Sequence, residues 1–358
     1  MANASRKPTL LMYPRSANVD NPYILHLVDV LSEKYEVINM SRFWQWGIFS
    51  ILKCDIVHLN WIERIHGKTK FRQYIEYYLR VAFLYFLSIS HKRVIWTVHN
   101  KVAHNAETEA LSCALMSRTA ALCSRIHILC HETENIPQIA QYRDKMVHIP
   151  HGDYFGDYLC RNLNIRQKHS IPEDAQILLF IGAIQPYKNI ELLLRAFRRA
   201  SFSRPTVLLM RGRCSPAYAE QLCAQTDIQH PSIRYDFTYC APEDVGDYLK
   251  EAIACIAPYD TRSSLNSGTL WMAFSYQKTF ICPKIGSVRD ISNPDELGYF
   301  YDYSTPEEHE QALVEMLNRL GKDMENPESI VQKGKTCFEY MKQHSWAKNR
   351  IQWQELYR

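Results

Sequence analysis

The sequence predicts two doubly wound α/β domains facing a central cleft, and three observations carry that prediction. The chain has 358 residues, which at roughly 100–200 residues per domain suggests two, each large enough to bury its own core. Short continuous apolar runs alternate with stretches long enough for a crossover helix, the pattern of parallel strands covered on both faces. The alternation restarts after a polar stretch, Arg161–Asp174, read as the linker. The first domain is therefore placed at 1–165 and the second at 166–344.

In the first domain Leu10–Tyr13 reads as a buried strand, and Asn21-Pro22 opens a helix with proline at its first position. Tyr23, Leu27, Val30 and Leu31 then recur at helical spacing. Further strands are expected at Tyr35–Ile38, Asp55–Leu59, Val94–Val98, Ile126–Cys130 and Val147–Ile149. In the second domain strands are expected at Ile177–Ile181, Val207–Met210, Cys255–Ala257 and Phe280–Cys282. Helices are expected there at Ile190–Arg199, Glu243–Ala252 and Gly268–Tyr276.

Composition removes several function classes. Hydrophobic residues make up 46% and charged residues 22%, which rules out a disordered or fibrous chain. Lys and Arg number 42 against 38 Asp and Glu, too small an excess for a nucleic-acid binder. The 11 cysteines form no CxxC pair, so they suggest neither a zinc site nor a disulfide framework. Most lie in apolar runs, as expected of reduced core residues in a cytoplasmic protein. The polar start Met1–Pro8 and the lack of an 18-residue apolar window predict neither a signal peptide nor a membrane span.

In open α/β sheets ligands bind at the carboxyl ends of the strands, so the residues that follow each strand are the candidates for chemistry. Gly182 and Lys188 follow the strand Ile177–Ile181, just before a helix, where a cation suits an anionic ligand such as a diphosphate. The plain alternative is a turn glycine and a solvated lysine. Arg211 and Arg213 flank Gly212 at the end of another strand. The segment Asn266-Ser267-Gly268-Thr269 opens an apolar helix, where small residues allow a phosphate to reach free backbone N–H groups. An ordinary helix cap is the alternative there. In the first domain His99 ends a strand and is followed by His104 and Glu107, while Asn60 and Glu63 end another. Groups of this kind can take a proton from an attacking hydroxyl. No pair has the HExxH spacing, so no metal is expected.

Lys68–His91 combines Lys68, Lys70, Phe71, Arg72, Tyr74, Tyr77, Tyr78, Arg80, Phe83, Tyr85 and Phe86. As a helix it is apolar nearly all round, with its bases mostly in the first half. It suits either a membrane interface or a core position under the first sheet.

Several segments together resemble a GT-B fold glycosyltransferase, most similar to glycosyltransferase family 4 and its relatives that build bacterial surface polysaccharides. They are Asp55–Trp61, Trp96–Asn100, Ile149–Tyr154, Phe180–Gly182 with Pro186–Lys188, and Asn266–Thr269, followed by Gly286 and Asp290, in the family's order along nearly the whole chain. The resemblance implies an acceptor-binding first domain and a nucleotide-sugar-binding second domain. It implies that a last helix, within 345–358, packs back on the first. Lys188 and Arg211 would neutralise the donor diphosphate, and Gly182, Asn266, Ser267, Gly268 and Thr269 would hold it without a metal. His99 would stand near the reacting sugar. The segment 68–91 gains weight as a membrane-facing element on the inner face of the cell membrane, because many relatives glycosylate polyprenyl-linked acceptors.

Some positions depart from the family. Its phosphate-binding arginine is replaced by Ala183, and its paired glutamates by Ser264 or Leu265 and by Met272 or Ala273. Its first glycine-rich loop is replaced by Pro14–Asn18. An inverting reaction with a carboxylate base then comes into view, with Asp20, Glu63, Glu107 and Asp153 as candidates. The expected function is transfer of a hexose from a nucleoside diphosphate sugar to a glycan or lipid-linked acceptor, with no cofactor. The alternatives are a nucleotide-sugar epimerase of the same fold and a non-catalytic binding protein.

Overall fold

The computed structural model describes residues 6–13, 21–39, 52–102 and 106–358. Asp20, His104 and the Pro14–Asn18 segment lie outside them. The chain forms two compact units. Unit 1 comprises Met1–His151, Arg262–Asn266 and Trp346–Arg358, and unit 2 comprises Gly152–Thr261 and Ser267–Ser345.

Unit 1 carries β1 (Thr9–Tyr13), β2 (Glu36–Asn39), β3 (Ile56–Asn60), β4 (Arg93–Val98), β5 (Arg125–Ile128) and β6 (Met146–His148). All pair in parallel, in the order β2-β1-β3-β4-β5-β6. Because strand side chains alternate between faces, the strands divide one apolar set between two cores. Leu11, Val57, Leu59, Val94 and Trp96 pack with Tyr77, Phe83, Leu84 and Leu87 of the helix Lys70–Ile89 and with Leu115 and Met116 of the helix Glu109–Leu122. On the other face Leu10, Met12, Ile56 and Ile95 pack with Ile24, Leu27 and Leu31 of the helix Pro22–Ser32. Trp346 and Trp353 of the last helix, Trp346–Leu356, complete that core.

Unit 2 carries β7 (Gln176–Ile181), β8 (Thr206–Arg211), β9 (Ile233–Asp236), β10 (Ala252–Ile256), β11 (Thr279–Pro283) and β12 (Gly298–Tyr301). They too are all parallel, in the order β12-β11-β10-β7-β8-β9. Each unit is thus a doubly wound α/β sheet.

Two local expectations change. The stretch Arg161–Asp174 is not a free tether: it contains a one-turn helix, Ile165–Lys168, with Ile165 and Ile171 buried. The amides of Arg161 and Asn162 donate to the two oxygens of Asp247, at 2.9 and 3.1 Å. Nor is the helix Lys70–Ile89 uniform around its girth. Gln73, Tyr77, Arg80, Phe83, Leu84 and Leu87 face inward, while Phe71, Tyr74, Ile75, Tyr78, Tyr85 and Ile89 are exposed. Tyr77, Arg80 and Phe83, which the sequence left between a membrane interface and a core position, face inward. No described helix is long and apolar enough to cross a membrane.

Candidate active site

Unit 2 reverses its strand order between β7 and β10, where an open parallel sheet leaves a crevice at the carboxyl ends of its strands. Both phosphate-binding candidates of the sequence leave the sheet there. After β7, Gly182 takes φ +117°, a conformation that favours glycine. A side-chain carbon at Gly182 would lie 3.5 Å from Lys188 Nζ and 3.6 Å from Thr269 Oγ1. The lysine and the threonine, 81 positions apart in the sequence, thus converge on one glycine. The next strand comes equally close: a side chain at Gly212, which follows β8, would lie 1.9 Å from the Gly182 carbonyl oxygen.

Lys188 ends a 3-10 turn, Pro186–Lys188. The Asn189 side-chain nitrogen Nδ2 donates to the Pro258 carbonyl at 2.8 Å, tying this turn to the exit of β10. Lys188 is only 8% exposed. Among the described residues its ammonium has no carboxylate or hydrogen-bond partner, only the face of Phe180 at 5.5 Å. Burial pushes its pKa down to about 8. A buried cation without a counter-ion destabilises the chain that carries it, and an anionic ligand relieves that cost. Across the crevice Ser267 caps the helix Gly268–Ser275 by accepting the Leu270 amide at 3.3 Å, and its Oγ lies 2.5 Å from Tyr259 Oη. The positive end of that helix adds to the charge of Lys188.

The other donor candidates are placed differently. Arg211 is buried, and both its terminal nitrogens are engaged. It pairs with Asp236 at 2.7 Å and donates to Thr238 Oγ1 and the Thr238 and Tyr239 carbonyls at 2.5, 2.9 and 2.8 Å. It therefore holds the loop after β9, and only Nε lacks a partner. Asn266 falls in unit 1, although Ser267 falls in unit 2. Asp153, in unit 2, accepts the Phe155 amide at 3.0 Å in a local turn. The positions of the family's glutamates are taken up by packing and pairing. Leu265 is fully buried in a unit 1 core, Ser264 bridges Asn100, and Met272 and Ala273 are buried.

In unit 1, His99 follows β4 and Asn60 ends β3. The Asn60 amide nitrogen donates to the Tyr13 carbonyl at 3.1 Å, which leaves its oxygen to accept from His99 Nε2 at 3.0 Å. The proton of neutral His99 thus sits on Nε2, and Nδ1 carries the lone pair. Burial, with Arg64 the next cause, holds the His99 pKa well below its ordinary value, so the ring is neutral at pH 7. Trp61 stacks on it at 4.0 Å between ring centroids and 18° between planes, and the Arg64 guanidinium lies 5.5 Å from the Trp61 ring. Glu63 is 2% exposed. Burial raises its pKa against the opposing pull of Arg64 and Arg80, and among the described residues neither oxygen has a hydrogen-bond partner of ordinary geometry. Glu107 is exposed on the turn Ala106–Thr108.

Sequence reasoning singled out neither Trp61 nor Arg64 for a role, and it left Arg80 between a membrane-facing and a core position. Helical spacing carried a signal for Arg80, because residues 73, 77, 80, 84 and 87 recur on one face.

Two doubly wound sheets, with a candidate phosphate-binding turn in the second, are the architecture of the GT-B fold, and comparison with known proteins adds the activity. Residues 162–336 match the family described as glycosyl transferases group 1. A GDP-mannose:glycolipid 4-beta-D-mannosyltransferase from Xanthomonas campestris pv. campestris is 25% identical over 321 residues, 87% of this chain and 84% of its own. Among solved structures, Anabaena HepE in complex with UDP and glucose superposes with a TM-score of 0.69 at 11% identity, covering 98% of this chain and 99% of that one. The sucrose-phosphate synthase of Thermosynechococcus elongatus does so with a TM-score of 0.71 at 14% identity, covering 98% of each chain. The chain is a glycosyltransferase of the GT-B fold, with a match to the group 1 family over residues 162–336.

Proposed function

We propose that the protein transfers mannose from GDP-mannose to a hydroxyl of a lipid-linked glycan during surface polysaccharide synthesis, without a metal. The donor and acceptor classes rest on the name of the Xanthomonas relative, which matches most of both chains. The observation that carries the reading is Lys188, a buried ammonium beside Gly182 and Thr269 with no anionic partner among the described residues. With the amino end of the helix Gly268–Ser275, it stabilises the charge that develops on the departing diphosphate. Arg211 supports this from behind by fixing the loop after β9.

The β linkage in the relative's name corresponds, from an α-linked donor, to a single displacement with inversion. The acceptor oxygen forms a bond to the anomeric carbon as the bond from that carbon to the phosphate oxygen breaks. The electron pair leaves with the diphosphate, and the acceptor proton passes to a base. His99 Nδ1 is our choice for that base, since the ring is neutral and oriented by Asn60; Glu63 and Asp153 are the carboxylates that could replace it. The exposed stripe of the helix Lys70–Ile89 would rest on the inner face of the membrane, with Lys68, Lys70 and Arg72 near anionic headgroups.

The test is transfer of labelled mannose from GDP-mannose to a lipid-linked acceptor, with UDP-, ADP- and CMP-sugars run alongside. We expect Lys188→Ala to lower kcat/KM at least about a hundredfold and a chelator to leave the rate unchanged. A protein that neither turns over nor is stabilised by any nucleotide sugar overturns the reading. A divalent-ion requirement overturns its metal-free part.

A further inference from the structure

The inner face of the helix Lys70–Ile89 holds the loop that carries Trp61. Arg80, 7% exposed, donates from Nη1 to the Ile62 carbonyl and pairs through Nη2 with Glu76 at 2.5 Å. The other Glu76 oxygen accepts from the amides of His66 and Gly67 at 2.8 and 3.0 Å. Gln73 donates to the Gly67 carbonyl at 3.1 Å. Residues 73, 76 and 80 lie on successive turns of one helical face, so they anchor both ends of the segment Ile62–Gly67. On the other side Asn60 is fixed by the Tyr13 carbonyl. Trp61 is left between two anchors and takes φ +51°, a left-handed conformation that is rare for a bulky side chain. Strain of this kind persists only where the surroundings impose it. Here it lays the indole flat against His99.

We propose that Arg80 is a positioning residue for His99, acting through the Ile62 carbonyl and the strained Trp61 that stacks on the imidazole. Arg80 is not itself catalytic. Its functional consequence rests on the reading of His99 as the base; its structural consequence does not. The arrangement also means that the helix with the exposed aromatic stripe is the element that sets the Trp61–His99 stack.

The test reads the ring protons of His99 by NMR together with steady-state kinetics, in Arg80→Met, Arg80→Lys and Glu76→Gln. In wild type we expect the stacked Trp61 ring to shift the His99 ring protons upfield. We expect Arg80→Met to lose most of that shift and about tenfold in kcat, with donor KM changed less than about twofold. Arg80→Lys, which keeps one donor within reach of Ile62, restores much of both. Glu76→Gln is intermediate, and it serves if Arg80→Met does not fold. A folded variant with an unchanged His99 resonance overturns the proposal, as does a loss of kcat matched by an equal loss of donor affinity. Should His99→Ala leave wild-type turnover intact, the reading of His99 fails instead, and the ring shift still decides the role of Arg80.

Discussion

The hydroxyl of Tyr357 donates to Nδ1 of His58, 299 residues earlier in the chain. The direction of that bond follows from the other end of a buried series. The Ile149 carbonyl can only accept, so His127 Nε2 donates to it, at 2.8 Å. His127 Nδ1 must then accept from Thr97 Oγ1 at 3.0 Å, and Thr97 in turn accepts from His58 Nε2 at 2.7 Å. His58 Nδ1 is therefore an acceptor, and Tyr357 supplies its proton. One carbonyl on β6's exit sets two histidine tautomers and fastens the end of the last helix to β3.

Removing the donor should cost more than an ordinary hydrogen bond, because it strands a buried acceptor. For Tyr357→Phe we expect a loss of about 1–3 kcal/mol in urea-unfolding free energy. Thr97→Val, which strands a group on each side, should cost at least as much. No change in either variant would show that the series does not contribute to stability.

The same histidines make stability depend on pH. Burial pushes the His58 and His127 pKa values down to about 3, with His127 adding to the effect on His58. In the unfolded chain both titrate near 6.5. Between those values the unfolded chain binds more protons than the folded one, so stability is full above about pH 6.5 and falls as pH drops towards 3. Urea midpoints measured from pH 8 to pH 5 should decline below about 6.5; a midpoint flat across that range would falsify this account.

Lys188 should be costly to the empty protein. Lys188→Met removes a buried cation that has no counter-ion among the described residues and keeps most of the stem that packs on Phe180. We expect its Tm without ligand to equal or exceed that of wild type, while the Tm rise induced by GDP-mannose disappears. A lower Tm with the donor response retained would make the lysine structural.

The exposed stripe invites a test of membrane contact. Tyr78 is 62% and Tyr85 67% exposed, so replacing both with Ser should leave Tm within about 1 °C. Sedimentation with anionic vesicles should fall several-fold. Equal sedimentation of wild type and variant would locate any membrane contact elsewhere.

The inner strands were legible because fully buried parallel strands read as plain apolar runs: β7, β8, β10 and β11 lie close to the spans read from the sequence. Two edge strands were not. In β9, Ile233 is buried and Tyr235 exposed, and β12 opens on a glycine, so neither reads as such a run. Lys188 and Thr269 were each visible as residues following a strand. Their meeting was not, since it depends on β10 lying beside β7, an order that no local pattern encodes. Arg80 stayed undecided between surface and core because its helix reads as apolar nearly all round until the inner face is counted.

The pieces of unit 1 are spread along the chain: it needs Arg262–Asn266, which supplies Leu265, and Trp346–Arg358, which supplies Trp353 and Tyr357. During synthesis, Leu265 emerges partway through the second unit, and Trp353 and Tyr357 only after that unit has been made. The amino-terminal half therefore waits, unfinished, for Trp346–Arg358. A fragment ending before Trp346 would present the open face of its sheet to chaperones and proteases rather than fold as a shorter enzyme.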